Sequence, residues 1–109
     1  MENRVKIASD YTRTPGGRYI KEGDFSGEDF RKKILKPAFL KAVSENVTLT
    51  VDLDGGFGYA PSFLEEAFGG LVRELADPKI LDIIIISNEE PQLVEDVHNY
   101  IKNALGNIK

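Results

Sequence analysis

The chain contains no cysteine and no tryptophan, one methionine and one histidine. Without cysteine there can be no disulfide, no thiolate zinc site and no cysteine nucleophile, and the composition fits a reducing compartment. With His98 alone, neither a histidine-containing metal cluster nor a Ser-His-Asp triad can be assembled with any redundancy. A histidine flanking a helix stripe is read as packing and given no role. No run approaches the ~20 apolar residues that span a bilayer, and MENRVKIASDY carries charges where a signal peptide has an apolar segment. A cytoplasmic protein without membrane contact is expected. A GxSxG elbow and a GxxxxGK[ST] phosphate loop are also missing, since Gly55-Gly56-Phe57-Gly58 has no following lysine.

What is present suffices for one domain: 109 residues, 41% hydrophobic, enough to bury a core without staples. The net charge of −4 is split unevenly along the chain. Residues 1–41 hold ten Lys or Arg against six Asp or Glu, and residues 42–109 hold four against twelve. The overall acidity argues against general nucleic-acid binding. Arg31, Lys32, Lys33 and Lys36 could form a local anion patch, although a solvated helix face is the simpler reading.

Residues 4–9 alternate polar and apolar, as an edge or near-edge strand does. Residues 10–23 hold four of the turn-forming Pro and Gly and predict a long loop in which residues 18–20 pair as a short strand. Arg13, Gly16, Gly17 and Arg18 within it are candidates for anion or nucleotide sensing. Ser26 with Asp29 predicts an N-cap, followed by the stripe Phe30, Ile34 and Ala38, with Pro37 interrupting a helix that ends by Asn46. A β-branched strand over 47–51 then runs into the glycine turn. Pro61 marks the next helix start, and Ser62 with Glu65 reads as a capping box, so that the helix begins at Ser62. Its buried stripe is Phe63, Leu64, Ala67, Phe68, Leu71, Val72 and Leu75. Gly69 and Gly70 lie off that stripe and imply close backbone approach. Residues 80–86 read as a central strand buried on both faces, and a last helix runs from about Glu90 and Pro91 to Leu105. This order predicts an α/β fold, a mixed sheet of four to five strands with helices mainly on one face.

Two constellations could carry chemistry. Asp52 and Asp54 end a strand one residue apart, and V-D-L-D-G resembles the nucleophile motif of haloacid-dehalogenase-type phosphatases. That motif implies a small Mg²⁺-dependent phosphate-handling enzyme. The later lysine and acidic pair of such enzymes are missing, which favours turn-capping aspartates, no metal and no catalysis. The second constellation is the loop tip and helix entrance, with Asp54, Gly56, Phe57, Tyr59, Ser62, Glu65 and Glu66. It reads as a partner-binding surface if its aromatics are exposed and as a lid on the core if they are buried. A phosphate on Ser62 would be tolerated by the helix dipole.

VDLDGGFGYAPSFLEEAFGGLV resembles the strand, loop and helix of a STAS domain, the module of anti-sigma factor antagonists. Of that family's Asp-Ser-Ser-Gly box, only the second serine carries over, as Ser62. Ala60, Pro61 and Phe63 take the other places, Pro61 standing at the usual phosphoacceptor. GGRY (residues 16–19), FSGEDFR (25–31), VDLDG and YAPSFLEEAFGGLVR together resemble the STAS-like family of bacterial proteins, whose biochemistry is unassigned. The resemblance implies a single STAS-like domain over 1–109, a non-enzymatic regulatory role without a cofactor, and a protein partner of the histidine-kinase-like ATPase type, with Ser62 as the candidate phosphorylation switch.

Overall fold

A computed structural model of the chain describes residues 2–107. Three strands, β1 (Glu2–Lys6), β2 (Thr48–Asp52) and β3 (Ile84–Ile86), form a sheet in the order β1-β2-β3, and both pairings are parallel. Val5 pairs with Val51, and Val51 with Ile85, so Val5, Leu49, Val51 and Ile85 share one face and enter the core. Alternate residues point the other way, where Arg4 is exposed and Ile84 is 47% exposed. Parallel neighbours need long crossovers, and right-handed connections in one direction across the sheet put both helical crossovers on the same face. The expected fold class holds at this level. In place of a mixed sheet of four to five strands, however, the described residues form three strands, all parallel.

The strand expected over 4–9 stops at Lys6. One helical turn follows, α1 (Ile7–Asp10), with the Asp10 carboxylate accepting from the Lys6 amide at 2.8 Å. The expected short strand at 18–20 is replaced by loop and a 3₁₀ turn over Ile20–Glu22. The apolar run 80–86 also divides. Asp77 accepts from the Lys79 amide and starts a 3₁₀ turn over Pro78–Asp82, leaving three residues for β3 at the sheet edge, while β2 takes the centre. Ile80 and Ile83 are both buried, and their spacing of three suits a turn as well as a strand, which is why a continuous run could not separate the two.

The first crossover is α2 (Gly27–Phe30), a π-helical turn over Arg31–Leu35, and α3 (Lys36–Glu45). Ser26 caps it as expected, its Oγ accepting from the Asp29 amide at 3.0 Å, and Asn46 closes it at φ 56°. A π turn carries one extra residue, so the buried stripe advances by one position. It reads Phe30, Leu35, Phe39, Ala42 instead of Phe30, Ile34, Ala38. The second crossover is α4 (Pro61–Leu64), a second π turn over Glu65–Gly69, and α5 (Gly70–Leu75). Its predicted stripe is buried from Phe63 to Val72, with Leu75 packed at its edge. The last helix, α6 (Gln92–Gly106), buries Leu93, Val97, Ile101 and Ala104.

Candidate functional site

The carboxyl ends of β2 and β3 lie side by side, and the loops that leave them meet above the sheet. In open parallel sheets this is where ligands collect. Asp52 turns both oxygens to structural work: Oδ1 accepts from the Asp54 amide at 2.9 Å, and Oδ2 accepts from Arg4 Nη2 at 2.9 Å. Asp54 ties the two loops together, Oδ1 accepting from the Glu89 amide at 2.9 Å and Oδ2 from the Asn88 amide and Nδ2 at 3.1 Å. The Glu89 amide, followed by that of Asn88, holds the Asp54 carboxyl below its ordinary range. Glu89 returns the tie, its Oε1 accepting from the Gly55 amide at 2.7 Å.

Gly55 (φ 94°) and Gly58 (φ 115°) adopt the left-handed geometry that the turn demands. Between them the Phe57 amide donates to the Arg13 carbonyl at 2.9 Å, which turns the Phe57 ring outward, where it is 83% exposed. Tyr59 folds back, donating its hydroxyl to the Leu53 carbonyl at 3.0 Å and packing on the buried Phe63 ring at 5.9 Å. Burial first, then the negative charges of Asp52, Asp54 and Glu89, pushes the Tyr59 hydroxyl up. The aromatic trio therefore splits into an exposed tip, a half-buried wall and a core residue. Phe57, Tyr59, Leu53, Asp54, Glu89 and Glu90 border a cleft of about 320 Å³.

Ser62 does not cap the helix. Ala60 is the cap residue, extended at φ −68° and ψ 140°, and its carbonyl accepts from the Phe63 amide at 3.0 Å. Pro61 fits the first helical position with its fixed φ and absent N–H, which moves the cap two residues upstream of the predicted serine. Ser62 lies half-buried in the first turn.

Glu65 and Glu66 are not a free acidic face either. Glu65 receives Arg18 at 2.5 Å and Arg73 at 2.7 Å, and Glu66, only 8% exposed, receives Arg31 at 2.5 Å. Arg31, equally buried, also donates to the Glu66 carbonyl at 2.8 Å and to Glu74 at 3.3 Å, and Lys36 completes the network on Glu74. Arg73, then Arg18, holds the Glu65 carboxyl below its ordinary range, and Lys36 does the same for Glu74. A Cβ on Gly70 would collide with the Arg31 guanidinium, and one on Gly69 with the Glu65 carboxylate. These glycines make room for ions. The close backbone approach expected of them occurs instead at Gly27, where a Cβ would strike the Phe63 carbonyl oxygen.

The four anion candidates do not form one cationic set. Arg13 supports Phe57 through its carbonyl, the Gly16 amide donates to the Phe25 carbonyl, Gly17 accepts from the Gly27 amide, and Arg18 is committed to Glu65. Lys32 and Lys33 pair with Glu28 and Asp29, each at 3.0 Å. His98 sits between the Val94 and Ile83 carbonyls at 3.0 and 3.4 Å. Among the described residues no group of His, Cys, Asp or Glu could hold a metal ion, and no helix is long and apolar enough to cross a membrane. Sequence reading missed the buried Arg31–Glu66 pair, and it missed Glu89, Glu90 and Leu93 beside the loop tip. For the pair, the Gly69-Gly70 step signalled a close neighbour without identifying it as Arg31.

No curated protein and no solved structure matches the chain. The model of one family, the STAS-like domain of unknown function (DUF4325), matches residues 26–93, from the cap of the first crossover to the buried Leu93 below the cleft, and the chain belongs to that family.

Proposed function

We propose that this domain is a non-enzymatic regulatory module that binds a protein partner through the loop 55–62. The carrying observation is Phe57, exposed at the tip of a loop whose backbone is held at Gly55 by Glu89 and at Phe57 itself by the Arg13 carbonyl. Burying such a side chain is worth about 2 kcal/mol, and a rigid loop that leaves it in water is prepared for a complementary surface. The partner class in this reading, a histidine-kinase-like ATPase, comes from the resemblance of VDLDGGFGYAPSFLEEAFGGLV to antagonist STAS domains. Ser62, half-buried in the first turn of the helix that follows the loop, adds a point at which added charge modulates binding without unfolding the helix.

The phosphatase reading has less support, because the oxygens of Asp52 and Asp54 are engaged by Arg4 and by backbone amides. Calorimetric titration should detect no micromolar Mg²⁺ site and no Asp52→Asn-sensitive phosphatase turnover, and finding both would overturn the binding-module reading. Calorimetry of the purified domain with histidine-kinase-like ATPases of its own genome tests binding directly. Phe57→Ser should weaken the complex at least about tenfold with an unchanged melting temperature. Ser62→Asp should weaken it and Ser62→Ala should not. Binding by Phe57→Ser as tight as wild type removes the loop from the interface.

A further inference from the structure

We propose that the cleft beside Phe57 receives a lysine or arginine flanked by an apolar residue, carried on an extended segment of the partner polypeptide. This deepens the protein-binding reading and rests on it. The contrast between two groups of carboxylates on the same molecule supports it. Glu65, Glu66 and Glu74 are neutralised by Arg18, Arg31, Arg73 and Lys36. Asp54 and Glu89 are instead held by N–H donors, from Asn88, Glu89 and Gly55, which fix a carboxylate in place without cancelling its charge. Glu90, exposed on the same rim, adds a third. Lys6, whose stem lies near Gly55 and whose charge acts on Asp54, offsets part of this.

The cleft is therefore negative, with Phe57 on its rim and Tyr59 and Leu93 on its walls. Carboxylates beside aromatic rings suit the two ends of a basic side chain, since its methylene stem packs on the rings while its charged head reaches the acids and the ring faces. An acidic or phosphorylated segment would meet repulsion. A bare divalent ion would make no use of Phe57. An apolar neighbour of the basic residue would cover the ring that the loop holds in water.

Fluorescence anisotropy with two labelled octapeptides tests this, one reading Gly-Ser-Leu-Lys-Arg-Leu-Ser-Gly and the other carrying Glu-Glu in place of Lys-Arg. The basic peptide should bind at least about tenfold more tightly than the acidic one, and its affinity should fall as salt is raised. Glu90→Gln and Phe57→Ser should each weaken it at least about fivefold without changing the melting temperature. Absence of binding by the basic peptide, equal binding of the two, or indifference to Glu90→Gln overturns the inference. If the ATPase complex is lost in Phe57→Ser but unaffected by Glu90→Gln, the basic-residue inference falls while the protein-binding reading stands.

Discussion

Pro61 fills the first helical position with a residue that has no N–H to satisfy, and so the capping task falls to Ala60, which has no side chain for it. Two expectations follow at this scale. Ser62→Ala should cost less than about 0.5 kcal/mol, because no cap is lost, whereas a capping serine replaced by alanine ordinarily costs about 1 kcal/mol. Ala60→Ser should stabilise by about 1 kcal/mol, since the extended backbone at 60 is already in the conformation from which a hydroxyl reaches the amides of the first turn. Urea denaturation of the two variants checks both. A loss near 1 kcal/mol for Ser62→Ala would restore the serine as the cap. The result also bears on function, because a Ser62 without a structural task can have its charge altered at little cost to the fold.

Between elements, the two crossovers meet π turn to π turn, with the Arg31–Glu66 pair buried where they cross and Gly70 leaving space for the guanidinium. Gly70→Ala should push Arg31 off Glu66 and cost about 3 kcal/mol, the scale of breaking a buried ion pair. In an Arg31→Met background the same substitution should cost under about 1 kcal/mol, because the obstructing group is gone, and this non-additivity is what a double-mutant cycle reads. Additive costs would show that Gly70 is intolerant for some reason other than Arg31. Much of this level was legible beforehand: the Ser26 cap, the stripe from Phe63 to Val72 and the Asn46 terminus all rest on local patterns. The shift from Ile34 and Ala38 to Leu35 and Phe39 was not, because a π turn leaves no mark in a 3.6-residue period. Gly69 and Gly70 announced a close neighbour, but a glycine does not say whether that neighbour is a backbone or an ion. In the site, strand-end aspartates predict turn capping, whereas the outward setting of Phe57 depends on the Arg13 carbonyl, forty-odd residues away in sequence, and no local pattern contains it.

Across the whole molecule, the uneven charge of the sequence becomes a docking device. Arg18, Arg31 and Lys36 come from the basic first 41 residues, Glu65, Glu66 and Glu74 from the acidic remainder, and the two sets are paired where the first crossover and its preceding loop rest on the second. Such a network makes stability depend on pH with a definite sign. The Glu65 and Glu74 carboxyls are held below their ordinary value of 4.5 in the folded chain, by Arg73 and Lys36 first. A carboxyl depressed by folding contributes stability that is fully present above its unfolded value and is lost as pH falls through its folded one. The urea midpoint should therefore be flat through the neutral range and decline on acidification below about pH 4.5. Asp29 and Asp54, depressed from 3.8 by the Tyr11 hydroxyl and the Glu89 amide respectively, should extend the decline to lower pH. Glu65→Gln should lower the midpoint at neutral pH, because Arg18 and Arg73 lose their shared counter-ion, and should make the acid decline shallower, because one of the titrating groups is gone. If the variant declines as steeply as wild type, the acid sensitivity belongs to other carboxylates, and the joining of the two charged halves is not what Glu65 secures.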